Sequence, residues 1–144
     1  MTPLADVLRE GRRRERGMAA FYRSLSGMAE ERGDAAAAER LNELLADEQH
    51  HVSRLTARLL ELGESLGEER PDRPRVEWEG WEKAARLREA DEVAWYEAAL
   101  DRVDDPAARA ILEEILASER HHRKELGGKW MAASPPAVPD EGDA

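Results

Sequence analysis

The stretch LLADEQHHVSRL, residues 44–55, indicates the fold of this chain, and ILASERHHRKEL, residues 115–126, repeats its pattern. In both, apolar residues recur at spacings of three and four, which predicts an amphipathic helix. Each also carries Glu-x-x-His within the apolar stripe, as Glu48 with His51 and Glu119 with His122. Because residues three apart share a helical face, each helix offers one carboxylate and one imidazole at the same level.

Two further helical segments carry a matching signal. Glu15 precedes Tyr22 by seven residues and Glu89 precedes Tyr96 by seven, and these are the two tyrosines of the chain. Seven residues are about two helical turns, so each Glu and Tyr share a face. An ionised carboxylate in an apolar stripe is costly unless it is paired or metal-bound. We therefore expect four inward carboxylates, one on each helix, and two imidazoles, one on each helix that carries Glu-x-x-His.

The expected layout is all-α: two antiparallel helical hairpins joined by a long crossover. Helices are predicted over roughly 3–32, 35–62, 81–102 and 106–126, with Asp34 capping the second and Asp105-Pro106 starting the fourth. Residues 64–80 contain Gly and Pro and are long enough to cross the bundle. We expect one four-helix domain over residues 1–131 and a disordered, acidic, proline-rich tail over 132–144.

Composition excludes several classes of function. The chain has 144 residues, a formal net charge of −10 and no cysteine. A net negative charge argues against nucleic-acid binding, and the lack of Cys excludes thiol and iron–sulfur chemistry. We find no signal peptide or membrane-span pattern, so we expect a cytoplasmic protein without membrane partners.

One Glu from each of two helices and Glu-x-x-His from each of the others form the ligand set of two-metal helical bundles. Carboxylates can bridge two cations while each His binds one of them. Four Glu charges balance two divalent ions, and mixed oxygen and nitrogen ligands suit iron or manganese. The predicted cofactor is two iron ions, with manganese or a mixed pair as the alternative.

At these positions the chain resembles the rubrerythrin branch of the ferritin-like superfamily. The resemblance rests on ERGMAAFY (15–22), EQHH (48–51), Glu89 to Tyr96, and ERHH (119–122), and it covers residues about 8 to 127. It implies hydrogen bonds from Tyr22 and Tyr96 to carboxylates across the bundle. It also implies six metal ligands: Glu15, Glu48, His51, Glu89, Glu119 and His122.

Two features depart from the rubrerythrin pattern. Typical rubrerythrins carry a cysteine-ligated rubredoxin iron centre, which a chain without Cys cannot have, so electrons must come from an external donor. Rubrerythrins also have an extra Glu on the third helix, and Glu92 is the candidate seventh ligand. However, the third helix keeps the Glu-to-Tyr spacing of the first and shows no inserted residue.

The resemblance implies a di-iron oxidoreductase that reacts with peroxide or dioxygen, of peroxidase or ferroxidase type, and a homodimer. The alternatives are iron handling or storage without turnover, and a metal-free helical scaffold. Beside the proposed ligands, His50 and His121 are expected at the surface or at an interface. Asp47 could orient a His, but surface exposure is the favoured expectation. The tryptophans Trp81, Trp95 and Trp130 are expected to pack rather than to bind a cofactor.

Overall fold

The computed structural model describes residues 3–67, 70 and 73–127, and within these ranges it contains four helices and no strand. The helices are α1 (Leu4–Glu31), α2 (Ala35–Glu61), α3 (Trp81–Leu100) and α4 (Pro106–Leu126). α1 packs along α2 and α3 along α4, so the chain forms two helical hairpins that associate into a bundle. The predicted all-helical architecture with two hairpins is confirmed.

Short-range signals set the helix boundaries. The Asp34 side chain accepts a hydrogen bond from the Ala37 amide, and Gly33 before it adopts a positive φ of 70°, which glycine tolerates without strain. Asp105 caps α4 by accepting from the Ala108 amide at 2.8 Å. The same Asp105 carboxylate binds the Arg58 guanidinium at 2.9 Å, which ties α2 to the turn between α3 and α4.

The third helix is shorter than predicted, ending at Leu100 instead of residue 102. The Arg109 guanidinium donates to the carbonyl oxygens of Leu100 and Val103, at 2.6 and 2.9 Å, so side-chain donors satisfy carbonyls at the helix end. Val103 then turns into the core, where it is buried. The other three helices match the predicted ranges to within one residue at each end.

Two apolar clusters fill the bundle. One contains Leu8, Leu55 and Leu112, and the other contains Leu25, Leu41 and Trp81. Along every helix a buried acidic residue lies between the portions that enter the two clusters. The fold therefore places a polar layer between two apolar ones.

The connection between the hairpins runs from one cluster to the other. Leu66 packs against the cluster of Leu8 and Leu55, whereas Val76 and Trp78 pack against the cluster of Leu25. Within the described part of the chain, no helix is both long and apolar enough to span a membrane. The predicted tail, residues 132–144, lies outside the described residues.

Candidate metal centre

The polar layer consists of six side chains that are at most 3% exposed. α1 and α3 each contribute one carboxylate, while α2 and α4 each contribute a carboxylate and an imidazole one turn further along. The six residues are Glu15, Glu48, His51, Glu89, Glu119 and His122. The helical spacing of three residues accounts for each Glu and His pair facing the same interior space.

These side chains form two overlapping groups that could each hold a metal ion. Within each group, one ligand atom per residue lies within 4.8 Å of the others. The first group is Glu15, Glu48, His51 and Glu119, and the second is Glu48, Glu89, Glu119 and His122. Glu48 and Glu119 belong to both, so their carboxylates are placed to bridge two neighbouring cations.

His51 faces its group through one ring nitrogen. Nδ1 of His51 lies 2.9 Å from Glu15 Oε1, 3.1 Å from Glu48 Oε1 and 3.6 Å from Glu119 Oε2. A neutral imidazole with a free lone pair on Nδ1 would direct that pair at the space the carboxylates surround. This nitrogen is therefore the donor that His51 can offer to a metal.

His122 has the same orientation in the second group. Its Nδ1 lies 3.0 Å from Glu119 Oε1, 3.3 Å from Glu89 Oε2 and 3.5 Å from Glu48 Oε2. Its other nitrogen, Nε2, lies 2.8 Å from Asp47 Oδ2 on α2. From the sequence, Asp47 could orient a His but was expected at the surface; its side chain is half exposed and also contacts a His of another helix, which the sequence did not identify.

The two tyrosines bind carboxylates across the bundle. The Tyr22 hydroxyl on α1 donates to Glu89 Oε2 at 2.6 Å, and the Tyr96 hydroxyl on α3 donates to Glu15 Oε2 at 2.7 Å. Both tyrosines are fully buried. Each hydroxyl fixes the orientation of one carboxylate and leaves the second oxygen of that group free to meet another partner.

The set of unpartnered atoms fits a pair of cations. Three buried carboxylate oxygens of the layer have no hydrogen-bond donor among the described residues, namely Glu48 Oε2, Glu89 Oε1 and Glu119 Oε2. Buried carboxylate oxygens are normally hydrogen-bonded, so each oxygen without a hydrogen-bond partner requires an explanation. Bound cations would supply one, since two divalent ions neutralise four carboxylates and occupy their lone pairs.

Without metal, the layer must hold protons. Burial, followed by the charges of Glu15 and Glu89, raises the pKa of Glu119 to about 8. Burial and the neighbouring Glu119 carboxylate raise the pKa of Glu48 well above its usual value. Burial has the largest single effect on Glu15 and would raise its pKa, but the hydrogen bond to His51, the charge of that ring and the other contacts in the layer together lower that pKa.

Burial acts on the imidazoles in the opposite sense, because it lowers their pKa values, but the neighbouring carboxylates raise these pKa values above normal. Burial opposes the charged form of His51, but its contacts with the carboxylates of Glu119 and Glu15 raise its pKa to about 9. Burial likewise opposes the charge on His122, and contacts with Glu119 and Glu89 raise its pKa to about 11. A metal ion must therefore displace protons from these rings, so metal uptake would release acid.

Glu92 lies near the layer but outside both groups. It is 6% exposed, and its Oε2 lies 3.3 Å from Arg14 Nη1, a contact that the sequence pattern did not indicate. Burial raises the pKa of Glu92 to about 7 although Arg14 acts to lower it. The Arg14 guanidinium also lies over the Trp95 ring at 5.1 Å, and Glu92 Oε1 is buried without a hydrogen-bond partner among the described residues. Glu92 as a seventh ligand therefore stays a prediction.

The other histidines and the described tryptophans lie outside the polar layer. His50 and His121 are exposed, and His50 binds Glu114 at 3.2 Å on the surface. Trp81 is buried in one apolar cluster and Trp95 packs edge-on against Tyr96 beside the other. Trp130 lies outside the described residues.

No match was found in a scan against protein-family models, in a search of curated proteins or in a search of solved structures. The functional interpretation therefore rests on the side chains of the polar layer and on the sequence resemblance described above.

Proposed function

We propose that the chain is a ferritin-like, rubrerythrin-type di-iron protein that reduces peroxide or dioxygen. The observation that carries this proposal is the sharing of Glu48 and Glu119 by two groups of potential ligands. Each group has its own His and one further Glu besides the two shared carboxylates. Such a set is suited to two neighbouring ions rather than to one. Manganese or a mixed pair would use the same ligands.

When two ferrous ions are bound, they can supply the two electrons that convert hydrogen peroxide and two protons into two molecules of water. The protein fixes the geometry and controls access to this chemistry. Apolar clusters on both sides of the layer exclude bulk water, and Tyr22 and Tyr96 hold the terminal carboxylates of Glu89 and Glu15 in place. Glu48 and Glu119 each have one buried oxygen without a hydrogen-bond donor among the described residues, so these oxygens would be available to bound ions.

The oxidised pair has to be reduced again for turnover. Because the chain has no cysteine, a rubredoxin-type centre of its own cannot provide those electrons. We therefore propose an external electron donor. Following the resemblance, we also propose that the working unit is a homodimer.

Metal analysis tests whether the site exists. Protein loaded anaerobically with ferrous iron should retain two ions per chain after desalting, and Glu48→Ala and Glu119→Ala should each lose most of them. Glu113→Ala is the matched control, because Glu113 is an exposed acid on α4 that binds Arg109 at the surface. Less than one ion per chain in the unaltered protein, with no further loss in the two bridging variants, would favour a metal-free scaffold.

Oxidation kinetics test the reaction. The ferrous protein is mixed in a stopped-flow instrument with hydrogen peroxide and, separately, with oxygen-saturated buffer. Fast oxidation by peroxide and slow oxidation by oxygen support a peroxidase, and the reverse order supports a ferroxidase. Light scattering should give the mass of a dimer. A large assembly that takes up many irons per chain would instead identify a storage protein.

A further inference from the structure

The ring of His122 is held at both nitrogens by acids from different helices. Nδ1 faces Glu119 and Glu89, while Nε2 lies 2.8 Å from Asp47 Oδ2. A carboxylate has no hydrogen to give, so Nε2 must carry the hydrogen of this bond. In the neutral ring the lone pair then resides on Nδ1, on the side of the metal layer.

The equivalent position in the other half of the bundle lacks this acid. Asp47 immediately precedes the Glu of the α2 motif, and Ser118 immediately precedes the Glu of the α4 motif. All described contacts of His51 with acids are made by its Nδ1, on the metal side. A serine has no negative charge to place against His51, so the two halves differ by one negative charge at this pair of equivalent positions.

We propose that Asp47 is a positioning residue for His122 and makes the two metal positions unequal, the one at His122 being the tighter. This inference rests on the proposed two-metal centre. A carboxylate that accepts a hydrogen bond from the N–H of a metal-binding imidazole fixes the ring and raises its basicity, typically worth ~10–100-fold in metal affinity. Because Asp47 is half exposed, solvent screens its charge, and we expect about tenfold.

The probe is cobalt(II), titrated anaerobically into the full-length, metal-free protein and followed by visible absorption and calorimetry. We expect two binding steps of unequal affinity in the unaltered protein. Asp47→Ala should weaken the tighter step about tenfold and leave the other unchanged. Asp47→Asn should lie between, because its amide oxygen still accepts the hydrogen bond without the charge.

Glu43→Gln is the matched control for general electrostatics. Glu43 lines the same surface cavity of about 110 Å³ as Asp47 and His122, and it carries the same charge. Its carboxylate pairs with Arg40 at 3.5 Å and makes no hydrogen bond to His122 within the described residues. Both cobalt steps should stay unchanged in this variant.

A second readout needs no metal. In ¹⁵N-labelled metal-free protein, the Nε2–H of His122 should exchange slowly with water, and Asp47→Ala should make it exchange fast while the His51 ring is unaffected. Two unequal cobalt steps that Asp47→Ala leaves unchanged, or weakens equally, overturn the inference but not the metal centre. An effect of Glu43→Gln as large as that of Asp47→Asn overturns it as well. No cobalt uptake by the unaltered protein refutes the centre and the affinity difference together.

Discussion

The metal-free protein should become more stable when Glu119 is replaced by glutamine, although the replacement removes a bridging ligand. Glu119 is fully buried and its pKa is raised from 4.5 to about 8. A carboxyl group with a raised pKa must take up a proton on folding, so its cost grows as the pH rises from 4.5 to 8. At about 1.4 kcal/mol per pH unit, the cost at pH 7 is about 3 kcal/mol.

Glutamine is neutral and avoids this cost, but its NH2 group replaces one of the two carboxyl oxygens. Only one of His122, at 3.0 Å, and His51, at 3.6 Å, can then face an oxygen. Losing an oxygen acceptor beside a charged imidazole costs roughly 1–2 kcal/mol. The net gain for Glu119→Gln at pH 7 is therefore about 1–2 kcal/mol. At pH 5 the proton costs less than about 1 kcal/mol, so the gain should vanish or reverse there.

Urea unfolding followed by circular dichroism, in EDTA at pH 5 and pH 7, measures both quantities. Glu113→Gln on the exposed face of α4 serves as the control and should change stability by less than about 0.5 kcal/mol at either pH. Loss of stability in Glu119→Gln at pH 7, or a gain of the same size at both pH values, would refute the reasoning.

Three further outcomes are expected. Tyr22→Phe removes the hydroxyl that donates to Glu89 at 2.6 Å and should cost the metal-free protein about 1–3 kcal/mol in urea unfolding, a value near zero being inconsistent with that bond. The pKa values of His51 and His122 are raised to about 9 and 11, so these residues contribute stability that is complete below pH 6.5 and is lost as the pH rises through those values. The free energy of unfolding in EDTA should therefore fall between pH 7 and pH 10, and a flat profile would contradict this. Manganese(II) at a hundredfold excess over its dissociation constant should add about 3 kcal/mol per site to the stability, seen as a higher midpoint of thermal unfolding that EDTA reverses; no shift would speak against a site.

The helices and their ends could be predicted because their signals are local. Apolar spacing marks the buried face of each helix, and Asp34 and Asp105 reach amides only three residues away. The exception was the end of α3, which depends on Arg109 of the next helix binding the carbonyl of Leu100. A contact of this kind, between two different helices, does not show as a periodic pattern in the sequence.

The same distinction applies to the site. The six residues of the layer lie within apolar stripes, so their convergence could be expected from four separate helix patterns. The contacts of Asp47 with His122 and of Arg14 with Glu92 depend on how the helices are rotated against each other. Asp47 has the pattern of a surface residue, since half of its side chain is exposed.

The central claim is that the polar layer binds two adjacent metal ions. Crystals of the full chain soaked in manganese(II), with anomalous diffraction measured at the manganese edge, test it most directly. We expect two anomalous peaks about 3.5–4 Å apart, both within bonding distance of the carboxylates of Glu48 and Glu119. An empty layer, a single central peak, or peaks confined to exposed acids on the helix surfaces would contradict it.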